Sequence, residues 1–226
     1  MLGIYDIARH LFKLLVLIKS FMNKYILDQE FSTKELISLI FKEEIEHQKL
    51  SEEISSLQMH FEFLRNDFLS SQSSEDINDV GIQYRFIKMA QKNEEVEKTQ
   101  AKIARLKDSL DNKGHSIDAL SMSLLQIAKQ GISKVYGKPQ NCPDGRDIGR
   151  ETLKNVIWQG RNQSIHYEEA NPNAAVLDCF SNLAITFGNN FDLSQNPATN
   201  CAKIVVNLLD WKSYENYQRD MKSLLG

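Results

Sequence analysis

Arg161 and His166 stand five residues apart in the segment 158–167 (WQGRNQSIHY), where the side chains best suited to catalysis are found. Arginine keeps its positive charge and can hold phosphoryl oxygens through a planar fork, whereas histidine titrates near neutral pH. Cleavage of a phosphodiester needs both a proton transfer and a group that binds the developing negative charge. The pair therefore favours RNA cleavage, in which the 2′-hydroxyl of the substrate is the nucleophile and no metal is required.

On this hypothesis His166 removes the 2′-hydroxyl proton or protonates the departing 5′-oxygen, and Arg161 binds the phosphoryl oxygens. The reaction needs an acid and a base, yet the sequence from residue 115 onward contains only His115 and His166. A two-fold homodimer that places both copies of His166 beside one phosphate would supply the second group. We therefore expect a composite active site at a homodimer interface, without cofactor or metal.

The run Arg161-Asn162-Gln163-Ser164-Ile165-His166 resembles the motif of the HEPN (higher eukaryotes and prokaryotes nucleotide-binding) superfamily. That motif is an Arg, a polar residue, a short variable run and a His, and the resemblance extends over a helical section that makes up roughly half the chain. It implies an α-helical, often dimeric, metal-independent ribonuclease of toxin-antitoxin, abortive-infection or other antiviral systems. By position it implies Arg161 and His166 as the catalytic pair, Asn162 as the polar residue beside the Arg, and an antitoxin or regulatory protein as a controlling partner.

A set of basic residues precedes the motif. Arg146, Arg150 and Lys154 are spaced by four residues, and Arg161 follows Lys154 by seven. On one helix, at about 100° per residue, these four side chains would lie within roughly 80° of arc. Such a stripe would bind RNA phosphates, and Tyr167 next to His166 would contact a base. The alternative is an ordinary solvated helix face.

Composition and charge limit the classes of function. The chain has 226 residues, of which 42% are hydrophobic and 25% charged, so it is expected to fold as one or two domains. A net charge of -3 gives no general attraction to nucleic acids, so RNA must be bound by a local patch, and no DNA partner is expected. The cysteines Cys142, Cys179 and Cys201 form no Cys-x-x-Cys pair, which suits the reducing cytoplasm.

The N-terminal segment contains an apolar stretch from Leu11 to Ile18 that is interrupted by Lys13. This stretch is much shorter than the roughly 20 residues that cross a bilayer, and no signal-peptide pattern is present. We expect residues 1–31 to form an apolar helix that packs on the bundle of a cytoplasmic protein. Attachment of this helix to a membrane is the less favoured alternative.

Helical periodicity dominates the sequence, which predicts an all-α fold: a helical bundle with a long antiparallel, coiled-coil-like hairpin over residues 32–114. A seam with alternating spacings of four and three residues comprises Leu50, Ile54, Leu57, Phe61, Leu64 and Phe68. After a Ser- and Asp-rich break, a seven-residue spacing connects Ile82, Met89, Val96, Ile103 and Leu110. Two long helices within an ordinary bundle remain the structural alternative.

Residues 115–226 are expected to form the HEPN-like helical domain. A break over 111–116 would precede helices over 117–136, 147–160, 172–187 and 198–224. Gly160 and its polar neighbours predict a helix end there, which would place Arg161 and His166 on an exposed turn. The alternative function is that of a non-catalytic helical interaction or RNA-binding protein that acts through its hairpin.

Overall fold

A computed structural model describes residues 24–71, 79–169, 172–195 and 198–226. Its principal α-helices are α1 (Glu30–Ser71), α2 (Asp79–Tyr136), α3 (Leu153–His166), α4 (Ala174–Phe187), α5 (Ala202–Leu208) and α6 (Tyr214–Leu225). The strands are the two-residue β1 (Asp147–Ile148) and β2 (Glu151–Thr152). The predicted all-α fold is confirmed. The apolar stretch over residues 11–18 lies outside the described residues, although Tyr25 and Ile26, which follow it, are buried in the core.

The chain divides into two compact units. One unit combines Met1–Lys42 with Ile117–Gly226, and the other consists of Glu43–Ser116. Helices α1 and α2 each contribute to both units. The first part of the predicted hairpin domain, residues 32–42, therefore belongs to the same unit as Ile117–Gly226.

The unit formed by Glu43–Ser116 is an antiparallel pair of helix segments. Three of its ion pairs join the two segments: Lys92 with Asp67 at 2.5 Å, Lys102 with Glu53 at 2.9 Å and Lys113 with Glu46 at 2.6 Å. The α1 partner moves from Asp67 towards Glu46 as the α2 residue moves from Lys92 to Lys113, which is the antiparallel order. The predicted seam supplies the buried side chains Ile54, Leu64 and Ile103, while the side chains of Phe68 and Ile82 lie outside the described ones.

The predicted break over residues 111–116 is wrong, because α2 continues through it to Tyr136. A glycine inside a helix lowers the stability of the helix by about 1 kcal/mol relative to alanine. Gly114 is the residue of this segment that disfavours a helix most. The preceding residue, Lys113, donates to both Glu43 and Glu46 on α1, at 3.0 and 2.6 Å. These contacts with α1 help to offset the poor local helix propensity.

The other unit holds the main core. It is built from fully buried apolar side chains of five helices and of the α5–α6 connection, among them Leu124, Ile132, Ile157, Phe180, Val205, Trp211 and Met221. Helix α3 packs against both α4 and α5. The core therefore fixes the orientation of the helix that carries the Arg161–His166 motif.

The segment predicted as a helix over 147–160 is a short hairpin followed by α3, so this prediction is wrong in its first half. Asp147 pairs with Thr152 across β1 and β2. Gly149 turns the chain with a φ of 63°, a conformation that glycine adopts without steric cost. Thr152 then caps α3, since its Oγ1 accepts a hydrogen bond from the backbone N–H of Asn155 at 3.3 Å.

The last two predicted helices have different outcomes. The helix over 172–187 is confirmed as α4, which begins at Ala174 after the N-cap Asn173. The single helix over 198–224 is wrong, because α5 ends at Leu208 and α6 begins at Tyr214. Asp210 in the connection has a φ of 57°, which interrupts the helical backbone.

Candidate active site on helix α3

Helix α3 carries the whole motif. The predicted helix end at Gly160 is wrong, since the helix continues to His166, and Arg161 and Asn162 lie inside it. A Cβ atom at Gly160 would stand 2.9 Å from Cγ1 of Val205. Glycine is therefore present because α5 packs closely against α3 at this point, and not because the chain turns.

Arg161 is half-buried and is held by two amide side chains. Its Nε donates to Oε1 of Gln126 on α2 at 2.6 Å, and a terminal nitrogen donates to Oδ1 of Asn162 at 3.4 Å. Burial lowers the pKa of Arg161. Within the described part of the chain, no carboxylate oxygen lies within ion-pair distance of this guanidinium, so its charge is not neutralised by an acidic partner.

Lys129, one turn after Gln126 on α2, is a second cation beside Arg161. Its Nζ lies 4.5 Å from the ring centroid of Trp158 on α3. Burial and the positive charge of Arg161 both lower the pKa of Lys129. We call Lys129 and Arg161 the α2–α3 cation pair. Lys129 and Gln126 were not recognisable from the sequence, because only the packing of α2 on α3 brings them to the motif.

His166 is the last residue of α3 and forms a dyad with a carboxylate. Its Nδ1 lies 2.5 Å from Oε1 of Glu169, and both side chains are about half exposed. A carboxylate that accepts from Nδ1–H leaves Nε2 to face a substrate. Glu169 was not predicted as a site residue, although its position three residues after the histidine was a usable local signal.

A pocket of about 530 Å³ opens beside this dyad. Its lining combines polar residues of the α3 end with an apolar wall, and includes Asn162, Gln163, His166, Tyr167, Glu169, Val176, Leu177 and Leu193. The predicted site residues Asn162, His166 and Tyr167 are thus brought together. Tyr167 is further held by Glu168, whose hydrogen bond raises the pKa of the phenol.

Arg161 is not among the described residues that line this pocket. On an ideal helix its side chain points about 140° away from that of His166, while Asn162 is only about 40° from His166. Asn162 connects the two regions, because it lines the pocket and its Oδ1 accepts from Arg161. One chain therefore presents the guanidinium and the imidazole on different sides of α3.

Gln163 and Ser164 have structural roles between the site residues. The buried Gln163 donates to the carbonyl oxygen of Thr199 at 2.8 Å and accepts from the N–H of Cys201 at 2.9 Å. Ser164 donates to the carbonyl oxygen of Arg161 at 2.9 Å. The two bonds of Gln163 fix the end of α3 to the segment that leads into α5, and the bond of Ser164 stays within α3.

The predicted cationic stripe is wrong as a helical feature, because Arg146 and Arg150 precede α3. Arg146 instead forms two hydrogen bonds with the carboxylate of Asp220, at 2.8 and 2.9 Å. Lys154 donates to the carbonyl oxygen of Cys142 at 3.0 Å and pairs with Asp144 at 2.7 Å. Arg150 is exposed at the turn of the hairpin.

Comparisons of the chain with family models, with curated proteins and with solved structures find no match. Within the described ranges, no three His, Cys, Asp or Glu side chains cluster closely enough to hold a metal ion. The helices in the same ranges include none whose length and apolar character would let it cross a bilayer.

Proposed function

We propose that the protein is a metal-independent endoribonuclease of the toxin or antiviral-defence type, which cuts RNA at a composite homodimer site. The observation that carries the proposal is the dyad of His166 and Glu169 at the mouth of a pocket, on the helix that also carries Arg161. A titratable group that is oriented by a carboxylate supports proton transfer, and an unneutralised guanidinium supports binding of a phosphoryl group.

The reaction would begin with removal of the 2′-hydroxyl proton by Nε2 of His166, while Glu169 keeps the imidazole in the required tautomer. The 2′-oxygen then attacks phosphorus, and Arg161 binds the charge that develops on the phosphoryl oxygens. The bond to the 5′-oxygen breaks, and a second imidazole protonates that oxygen. The products are a 2′,3′-cyclic phosphate and a 5′-hydroxyl.

The second imidazole is proposed to be His166 of a second copy. The other histidine of the C-terminal half, His115, is exposed and belongs to the unit formed by Glu43–Ser116. A two-fold axis near the end of α3 would place two imidazoles at one phosphate.

Mixed dimers test the composite site. Wild-type and His166→Ala chains with different affinity tags can be co-expressed, and the dimer that carries both tags can be isolated. If acid and base come from different copies, this mixed dimer should cut RNA as slowly as the His166→Ala homodimer, in EDTA as well as without it. Half of the wild-type rate would overturn the shared site, and His115→Ala should keep the full rate.

The biological role is tested by expression. A ribonuclease of this type should arrest growth when it is induced, and His166→Ala and Arg161→Ala should relieve the arrest. Sequencing of the cleaved RNA ends would identify the substrate, and DNA, which has no 2′-hydroxyl, should remain intact. We propose the cytoplasm as its location, in agreement with three cysteines that are free and buried, and an antitoxin or regulatory protein as its control.

The alternative, a non-catalytic interaction protein that acts through the hairpin, is favoured by two exposed apolar side chains on α1. Met59 is 71% exposed and Phe63 is 68% exposed, and such side chains commonly mark interaction surfaces. Under this alternative, Met59→Ser with Phe63→Ser would abolish the cellular effect and His166→Ala would not. The ribonuclease proposal requires the dependence on His166.

A further inference from the structure

The α2–α3 cation pair differs from other partly buried cations of this protein in its partners. Lys113 is paired with Glu43 and Glu46, and Lys154 is paired with Asp144. Lys129 and Arg161 instead contact neutral groups, namely the Trp158 ring and the amides of Gln126 and Asn162. In the described part of the chain, no carboxylate lies within 4.0 Å of the nitrogens of either cation.

Two like charges that are partly removed from water repel each other, and their interaction disfavours both charged forms. The structure nevertheless keeps them together: Gln126 fixes the guanidinium through a hydrogen bond of 2.6 Å, and the Trp158 ring contacts the ammonium group. An anion with several oxygens that contacts both cations would replace the repulsion by two charge-assisted contacts.

We infer that Lys129 and Arg161 together form a binding site for one phosphodiester group of an RNA strand. The inference rests on the proposed function for the identity of the ligand, and it adds Lys129 as a phosphate-binding residue and Trp158 as the residue that positions it. Asn162, which contacts Arg161 and lines the His166 pocket, connects this site to the proton-transfer dyad.

Lys129→Met tests the site, and Lys134→Met is the matched control. Lys134 lies on the same helix, and its ammonium group also contacts an aromatic ring, that of Tyr25 at 5.5 Å. The probe is a 2′-O-methyl RNA oligonucleotide, which binds but cannot be cut because it lacks a free 2′-hydroxyl. Its affinity for the whole 226-residue chain is measured by fluorescence anisotropy between 0.05 and 0.5 M salt.

Loss of one phosphate contact should lower the salt slope of log K by about 0.7, which corresponds to about fourfold weaker binding at 0.15 M salt and about eightfold at 0.05 M. Lys134→Met should leave affinity and slope unchanged, and Lys129→Arg should keep both. Sulfate should raise the melting temperature of the wild-type protein more than that of Lys129→Met. Lys129→Met removes both the repulsion and the contact with the Trp158 ring, so the variant should stay within about 1 kcal/mol of wild type in its free energy of unfolding.

The inference is overturned if Lys129→Met binds the oligonucleotide as wild type does, or if both lysine variants lose affinity equally. It is also overturned, as a site for an RNA strand, if only mononucleotides or inorganic phosphate bind in a manner that depends on Lys129. If the oligonucleotide binds as expected but unmodified RNA is never cut, the ribonuclease proposal fails and the phosphate site stands.

Discussion

Nδ1 of His166 lies 2.5 Å from Oε1 of Glu169, so the last residue of α3 is oriented by a carboxylate three residues further along the chain. Glu169→Gln removes the acceptor charge at nearly constant shape. We expect RNA cleavage to fall about tenfold, a part of the hundredfold or more that general acid–base catalysis contributes.

Asp178→Asn is the matched control for this prediction, because Asp178 is an exposed carboxylate on the neighbouring helix α4. It should change the cleavage rate less than twofold. A Glu169→Gln variant with the wild-type rate would show that His166 does not depend on this partner.

Arg146 should contribute to stability rather than to RNA binding. Asp220 is only 2% exposed and accepts hydrogen bonds from Arg146 and from Nε1 of Trp211. Arg146→Met leaves this buried carboxylate without its cation, and the free energy of unfolding should fall by about 3 kcal/mol. Denaturant titration measures the change, and the exposed Arg150→Met variant should stay within about 0.5 kcal/mol of wild type.

The buried thiols predict a loss of stability at alkaline pH. Burial raises the pKa of Cys142 to about 11 and the pKa values of Cys179 and Cys201 to about 12, from an ordinary value of 9.0. The unfolded chain therefore releases these protons at a lower pH than the folded chain. The free energy of unfolding should be unaffected by these groups below pH 9.0 and should decrease between that pH and pH 11 to 12.

Urea unfolding at several pH values measures this dependence. Each thiol should contribute a slope of up to about 1.4 kcal/mol per pH unit, so Cys142→Ala should show a smaller slope than wild type. Stability that rises or stays constant over this range would contradict the assignment. In the folded protein at pH 8, all three thiols should resist alkylation.

Gly160→Ala should destabilise the protein although alanine is the better helix former. The new Cβ would meet Cγ1 of Val205 at 2.9 Å. Overpacking of this kind costs about 1 to 3 kcal/mol, which exceeds the gain of about 1 kcal/mol in helix propensity.

A double-mutant cycle with Val205→Ala separates these two terms. Once the valine is truncated, Gly160→Ala should be neutral or stabilising. Equal losses in both backgrounds would show that the close approach of α5 does not determine the choice of glycine.

The sequence was sufficient where structure depends on local periodicity. The seam through Ile54, Leu64 and Ile103 follows from spacing alone, because each helix must bury one face. Sequence reasoning failed where a distant contact overrides local preference. Gly160 resembles a helix end until Val205 is known to pack against it, and Gly114 resembles a break until α1 is known to pair with this part of α2.

The candidate site shows the same division. Arg161, Asn162 and His166 were recognisable because they are close in sequence. Lys129 was not, because it reaches Arg161 only through packing of α2 on α3. Arg146 was assigned to RNA because its partner, Asp220, lies 74 residues further along the chain.

Helix α3 presents Arg161 and His166 on separate sides, and only His166 borders the pocket. A small compound lodged against the apolar wall of Leu177 and Leu193 would cover the imidazole and leave the guanidinium accessible. If the protein is the ribonuclease proposed above, such a compound will stop turnover while the nucleic acid stays bound, and the trapped complex will allow the natural target to be captured.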